Sequence, residues 1–184
     1  MTDDRIFETE RLIVRPWRSS DREPFAALNS DTEVMRHFPA PLPPEESDAL
    51  VDNLIGRQQR FGFTFSPIEE KTSGAFLGFV GLSRHAFESP VRGETEIGWR
   101  LARRAWGKGY ASEAAIAWLR WFWPRYDEPR VVSITTTTNL PSQAVMRRIG
   151  MSHRQELDFD HPNVPDDSVL KRHVTFAIDR PEGA

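Results

Sequence analysis

The sequence contains no cysteine among its 184 residues. Disulfide bonds, thiolate metal sites and a cysteine nucleophile are therefore excluded. No stretch approaches the roughly 20 consecutive apolar residues that a membrane-spanning helix requires, so no membrane contact is expected. The first residues, Met1 to Arg5, lack the basic and then apolar pattern of a secretory signal. We therefore expect a cytoplasmic protein.

An excess of positive charge is also lacking, because the formal net charge at pH 7 is −3. Proteins that bind nucleic acid usually have a broad basic surface, so this charge balance argues against a nucleic-acid partner. The five histidines share no i, i+4 spacing, so no metal site is predicted. They are His37, His85, His153, His161 and His173. Length and a globular composition predict a single domain over residues 1–184.

The stretch 94–115 contains the most informative pattern in the chain. Ile97, Trp99 and Leu101 alternate as in a half-buried strand, and apolar residues recur at helical spacing from 111 to 122. Between them lies the turn Trp106-Gly107-Lys108-Gly109-Tyr110-Ala111. A glycine turn that enters a helix collects free backbone N–H groups at the positive end of the helix dipole, which favours a phosphate ligand.

Two common phosphate motifs do not fit this turn. A P-loop requires Ser or Thr after Gly-Lys, but Lys108 is followed by Gly109. The dinucleotide fingerprint requires a third glycine at a position that Ser112 occupies. An ordinary glycine-rich turn between a strand and a helix is the alternative.

The turn and the strand before it, Glu-Ile-Gly-Trp-Arg-Leu, resemble the acyl-CoA pyrophosphate loop of the GNAT N-acetyltransferases. The similarity is greatest to the branch typified by the ribosomal-protein N-terminal acetyltransferases. Trp106 stands where much of the superfamily has Gln or Arg, which is a mild departure. The resemblance implies acetyl-CoA as cosubstrate. It also implies an α/β fold with one mixed, twisted sheet of six to seven strands and helices on both faces.

Periodicity, capping signals and turn residues predict the remaining elements. The predicted strands cover 8–17, 63–69, 75–83, 130–138, 152–159 and 170–178, and those over 63–69 and 75–83 are predicted to form a hairpin. A helix is predicted from a capping box at Ser20 to about 29, with a further helical turn over 32–38. Helices are also predicted over 44–61, with Gly62 as the C-cap, and from 139 to a stop at Gly150.

The resemblance implies roles for several residues of the central strand. This strand would diverge from the next one, and a β-bulge near Gly98 is the plausible cause. Backbone groups of about Trp99 would face the thioester, and Leu101 would bond the pantetheine amides. Glu96 would be the general base, with its pKa raised by the nearby charge of Glu94. The alternative is a solvated pair of strand glutamates.

The junction Asn139-Leu140-Pro141-Ser142 matches the family's second cosubstrate contact. Many members carry a tyrosine acid seven residues after the asparagine, but this chain has Met146 there. Its two tyrosines are Tyr110 and Tyr126. The resemblance therefore gives the role of acid to Ser142, while a helix cap remains an equal alternative for this residue.

The acceptor is predicted to be a primary amine, with a protein N-terminal α-amine first and a small molecule such as a polyamine or aminoglycoside second. A non-catalytic acyl-CoA-binding module is the competing class. The stretch Asp158–Asp167 is either a solvated loop or an acidic rim that attracts a cationic acceptor. Trp121 and Trp123, if exposed, would form a homodimer surface.

Overall fold

A computed structural model describes residues 4–183. Residues 1–3 and 184, which belong to the predicted domain, lie outside the described residues. One sheet of nine strands forms the centre of the chain, in the order β1-β2-β3-β4-β5-β6-β9-β7, with β8 paired to β9. The strands are β1 Phe7–Glu8, β2 Leu12–Val14, β3 Phe65–Glu70, β4 Phe76–Arg84, β5 Thr95–Leu101, β6 Arg130–Thr136, β7 Ser152–His153, β8 Phe159–Asp160 and β9 Arg172–Asp179. The helices are α1 Arg22–Ser30, α2 Pro44–Phe61, α3 Tyr110–Phe122 and α4 Leu140–Arg148.

The predicted α/β class and single mixed sheet are confirmed, but the expected number of strands was too low. The first predicted strand is split, because the Thr9 hydroxyl accepts the Leu12 N–H at 3.0 Å and turns the chain between β1 and β2. The predicted strand over 152–159 is likewise interrupted by a 3₁₀ turn over Gln155–Leu157. Alternation of residue types does not reveal such short turns.

The predicted capping box at Ser20 does not form. A 3₁₀ turn precedes α1, and the buried Asp21 carboxylate binds the Arg15 guanidinium at 2.7 and 2.8 Å. The expected helical turn over 32–38 consists of non-helical turns. The helix α2 ends as predicted at Gly62, whose φ of +81° supplies the left-handed cap.

The helices cover both faces of the sheet, as expected. On one face, α3 inserts Trp118 and Phe122 among Ile97 and Leu101 of β5, and every one of these side chains is buried. On the other face, α1 and α2 pack against β4 through a second cluster that includes Phe25, Leu54 and Phe79. The two faces of β5 therefore meet different surroundings.

The strands β5 and β6 are the only parallel neighbours in the described part of the sheet, and they diverge after one pair, Glu96 and Val132. The expected bulge near Gly98 is wrong, because the β4–β5 register continues without a shift from Thr95 to Leu101. A bulge occurs instead in β4, where Leu77 lacks a partner on β3. Gly78 takes a φ of +124° there, and a Cβ would lie 2.1 Å from the Arg100 carbonyl oxygen.

The two tryptophans near the end of α3 are not the exposed pair that a homodimer surface requires. Trp123 is buried, and Trp121 packs against Trp118 and Tyr126. The reason for predicting a homodimer is thus removed. Within residues 4–183, no helix has the length and apolar content to span a membrane.

Candidate active site

The divergence of β5 and β6 opens into a cavity of about 970 Å³. Ten of the predicted site residues line its wall: Glu96, Trp99, Leu101, Trp106, Gly107, Gly109, Tyr110, Ala111, Asn139 and Ser142. Lys108 is the predicted site residue that does not, and its backbone carbonyl accepts a hydrogen bond from Arg11 at 2.9 Å. The cavity therefore extends from the glycine turn to the face of β5 that carries Glu96.

The glycine turn has the open backbone that a pyrophosphate needs. Gly107 and Gly109 have φ values of +72° and +81°, and α3 begins at the next residue. A Cβ on Gly107 would meet nothing within 4 Å, and one on Gly109 would meet only the Arg11 guanidinium at 3.5 Å. The space beside this backbone is thus free for a ligand, and the residues present fit the phosphates of an acyl-CoA.

Arg11, which was not among the predicted site residues, holds this turn in place. Besides Lys108, its guanidinium binds the Glu113 carboxylate of α3 at 2.6 Å. The Arg11 backbone N–H donates to the same carboxylate at 3.0 Å. Arg11 lies 97 residues from Lys108 and 102 from Glu113 in the sequence, so no local pattern indicates these contacts.

The backbone of β5 has an open edge toward β6. Ala102 donates its N–H to Leu77 of β4 at 2.9 Å, and backbone groups of a strand alternate in direction. The backbone N–H and C=O groups of Trp99 and Leu101 therefore point away from β4 and toward β6. In the described sheet, β6 pairs with β5 only at Glu96, so it does not reach these groups. The Leu101 carbonyl already accepts the Trp106 indole N–H at 2.8 Å. The Trp99 and Leu101 N–H groups therefore point toward the gap between β5 and β6, where a thioester contact was predicted for Trp99 and a pantetheine contact for Leu101.

The Glu96 carboxylate is held at one oxygen and open at the other. Its Oε2 lies 3.0 Å from the buried His85 Nδ1, and the His85 Nε2 lies 2.7 Å from the Ser89 hydroxyl. The Glu96 Oε1 lies 3.9 Å from the position that a Cβ on Gly98 would occupy. This oxygen has no hydrogen-bond partner among residues 4–183. Sequence reasoning missed His85, because a single histidine in a polar loop carries no signal of its partner.

Glu94 does not act on Glu96 as predicted. Its carboxylate forms two hydrogen bonds with the Arg130 guanidinium, at 2.5 and 2.7 Å, and does not line the cavity. The positive charge of Arg130 compensates the negative charge of Glu94, which was expected to repel Glu96. The alternative of two solvated glutamates is wrong as well, because each carboxylate has a specific partner.

The cap of α4 is Asn139, so the cap alternative for Ser142 is wrong. The Asn139 Oδ1 accepts the Ser142 backbone N–H at 3.3 Å. The Ser142 hydroxyl oxygen accepts the Trp99 indole N–H at 3.2 Å, which leaves its own proton available to donate. The Asn139 amide group is also in use, since it donates to Thr135 at 2.9 Å.

The acidic stretch does not form an acidic rim. Three of its aspartates have partners: Asp158 with His153, Asp160 with Arg172 and Asp166 with Lys171. The cavity wall receives His161, Asn163 and Val164 from this segment, and no aspartate. Burial and the neighbouring His173 and His85 lower the pKa of His161 to about 4, so its ring is neutral at pH 7.

Residues 4–183 contain no group of three or more His, Asp or Glu arranged to hold a metal ion. The polar groups of the cavity wall include the Glu96 carboxylate, the Ser142 hydroxyl, the buried histidines His85 and His173, several arginines and an open backbone edge. A carboxylate on one face of β5 and a hydroxyl near its other face suit proton removal and proton donation on opposite sides of a transfer step.

Comparisons with known proteins concern the family and the fold of the chain. A family profile described as the acetyltransferase (GNAT) domain matches residues 11–152. An FsC-acetyl coenzyme A-N(2)-transacetylase of Aspergillus fumigatus is 30% identical over 183 residues, which cover 95% of this chain and 76% of that protein. A GNAT-family acetyltransferase of Bacillus anthracis has a TM-score of 0.76 at 26% identity, over 94% of this chain and 97% of that one. A ribosomal α-N-protein acetyltransferase solved with coenzyme A shares the fold, with a TM-score of 0.76, 20% identity and coverage of 95% and 97%.

Proposed function

Because this chain belongs to the GNAT acetyltransferase family and is an enzyme that uses acetyl-CoA to acetylate an amine, we propose that its acceptor is the free α-amine of a peptide or protein N-terminus. The observation that carries the proposal is the Glu96 carboxylate at the cavity wall: Oε2 is held by His85, and Oε1 has no hydrogen-bond partner among the described residues. A single fixed carboxylate suits an amine that is easily deprotonated. The motif similarity to the ribosomal-protein branch supports the same acceptor class.

The residues at the cavity have separate tasks in this proposal. The Gly107–Gly109 turn and the N–H groups of Trp99 and Leu101 hold the cosubstrate, which supplies the acetyl thioester. Glu96 removes a proton from the acceptor ammonium, directly or through one water. Ser142 donates a proton toward the leaving sulfur. Positioning of both reactants in one cavity also contributes to the rate.

The pKa of the acceptor favours an α-amine. An α-amine has a pKa of about 8, whereas a lysine side chain has a pKa of about 10.4, so the lysine demands more of the same base. Two or more unpaired acidic groups at the site would assist a more basic amine. Glu94, however, is bound to Arg130 outside the cavity, and Glu33 of the cavity wall is paired with Arg36. The single base therefore supports the N-terminal acceptor.

A small amine is the second candidate, and one observation favours it. The Aspergillus relative, which covers 95% of this chain, is named for transfer to an N(2) amine. The same residues would act on either acceptor.

We predict higher kcat/KM on short peptides with a free N-terminus than on N-blocked peptides that carry only lysine. The measurement is release of free thiol from acetyl-CoA, with spermidine and an aminoglycoside in the same panel. A small amine that outruns every free-N-terminus peptide would refute the N-terminal acceptor and support the second candidate. A chain that binds acetyl-CoA but releases no thiol with any amine would be a binding module.

Ser142→Ala is expected to lower kcat by about 10²-fold, because the hydroxyl is the proposed acid. Tyr110→Phe and Tyr126→Phe should retain activity: the Tyr110 hydroxyl donates to Glu70, which raises its pKa, and Tyr126 does not line the cavity. Steady-state rates of the three variants provide the test.

Stability measurements separate the acid from a structural role. Asn139→Ala removes the cap of α4 and should lower the free energy of unfolding by about 1 kcal/mol, whereas Ser142→Ala should change it by less than about 0.5 kcal/mol. An inactive but folded tyrosine variant would show that the acid has been assigned wrongly.

A further inference from the structure

Arg100 lies on the same side of β5 as Glu96, since side chains of a strand alternate between its faces. Their Cα atoms are four residues apart, which is about 13 Å along a strand. Between them Gly98 has no side chain, and the Phe65 ring occupies the space, 3.1 Å from where a Cβ would be. Phe65 stacks on Phe79 at 5.2 Å. The carboxylate and the guanidinium thus stand at the two ends of an apolar floor.

The Arg100 guanidinium has no negative partner within residues 4–183. Its Nη1 donates to the Asn29 amide oxygen at 2.6 Å, and it stacks on the Phe38 ring at 4.2 Å. Its Nε is buried with no hydrogen-bond partner. Burial lowers the pKa of Arg100 to about 10, so the group is still a cation at pH 7. Arg100 is partly buried, and removing a cation from water without a counter-charge is costly unless a ligand supplies one.

The other charged residues of this wall do not supply a counter-charge for Arg100. The ion pairs there are Arg36 with Glu33 and Arg84 with Glu128. Arg57 donates to the Ser83 hydroxyl at 2.7 Å and to a backbone carbonyl, and it binds no carboxylate of the described chain. Apart from Glu96, the charges without an opposite partner are therefore positive. A polycationic acceptor does not suit such a wall.

We propose that Arg100 binds a carboxylate of the acceptor, placed several bonds away from the amine that is acetylated. The inference rests on the proposed function, because it assumes that the amine lies at Glu96. The α-carboxylate of a free amino acid is only two bonds from its amine and cannot bridge the floor between Glu96 and Arg100. The acceptor therefore carries its carboxylate on the second or third residue of a peptide, or at a similar distance in a small molecule.

The unmodified enzyme gives the first test. Two sets of acceptors are compared by thiol release. The first set consists of peptides with a free N-terminus and an amidated C-terminus that carry either Glu or Gln at position 2 or 3. The second set consists of dipeptides with either a free or an amidated C-terminus. We expect a kcat/KM about 10- to 100-fold higher for the carboxylate member of a pair, since hydrogen bonds to charged groups are the strong ones. The set with the larger ratio distinguishes a peptide side chain from a small-molecule carboxylate.

Variants then assign the preference to Arg100. Arg100→Met keeps the apolar stem and should bring the carboxylate-to-amide ratio close to one, mainly through KM, while Arg100→Lys keeps part of the preference. Arg60→Met is the matched control, because Arg60 is exposed on α2 outside the cavity wall and its loss changes the net charge equally. It should leave the ratio unchanged.

Three outcomes overturn the inference. Equal rates for each carboxylate and its amide in the unmodified enzyme refute it without any variant. A raised acetyl-CoA dissociation constant in Arg100→Met, with the acceptor ratio unchanged, would place Arg100 in the cosubstrate site. Absence of thiol release with every amine would instead refute the proposed function, and the inference that rests on it.

Discussion

Glu96→Gln is expected to lower kcat by about 10²–10⁴-fold and to leave the acetyl-CoA dissociation constant unchanged. The amide keeps the size of the side chain and can still hydrogen-bond to His85, but it cannot accept a proton from the ammonium. The fall of kcat at acid pH should be lost with it. Steady-state kinetics across pH and calorimetric titration of acetyl-CoA measure the two quantities.

The matched control for this variant is Glu94→Gln. Glu94 is on the same segment, two residues earlier, but its carboxylate binds Arg130 and does not line the cavity. Its loss should leave kcat close to that of the unmodified enzyme. A Glu96→Gln enzyme with full activity at neutral pH would show that the carboxylate only helps to hold His85.

Gly107→Ala should raise the acetyl-CoA dissociation constant by about 100-fold, through loss of charge-assisted hydrogen bonds from the turn to the pyrophosphate. Nothing lies within 4 Å of the added Cβ in the chain itself, so any clash would be with the ligand. The φ of +72° adds a backbone cost of about 1–2 kcal/mol, which lowers the melting temperature as well. Calorimetry and thermal unfolding separate the two effects.

Gly74→Ala controls for the backbone cost. Gly74 has a φ of +67°, has nothing within 4 Å of an added Cβ, and lies in the β3–β4 turn outside the cavity wall. We expect a similar loss of stability and unchanged acetyl-CoA binding. If both variants bind acetyl-CoA as the unmodified protein does, the glycine turn is not the pyrophosphate site.

Local patterns identified the elements around the cavity because each depends on neighbours in the chain. The alternation of Ile97, Trp99 and Leu101, the glycine turn and the apolar stripe of α3 are all readable from a short window. The same windows predicted the hairpin of β3 and β4 and the end of α2 at Gly62. Helices on both faces were implied by the family resemblance and are present.

The partners of the site residues could not be read in this way. His85 on Glu96, Arg130 on Glu94 and Arg11 on the glycine turn all come from other elements. The bulge was expected near Gly98 because glycine often marks one, yet the constraint there is the Phe65 ring. The bulge lies in β4, where Gly78 has the positive φ. Glycine content alone does not distinguish these two causes.

The single pair between β5 and β6 also bears on how the chain folds. Strands β1 to β5 pair in chain order. Short loops join β1 to β2 and β3 to β4 to β5, whereas both α1 and α2 lie between β2 and β3. The remaining strands do not pair in chain order, because β9 lies between β6 and β7 and pairs with both. Contacts of low sequence separation form fastest. We therefore expect β3 to β5 to assemble early, while β6 and β7 remain without their central partner until the arrival of β9 completes the second half of the sheet.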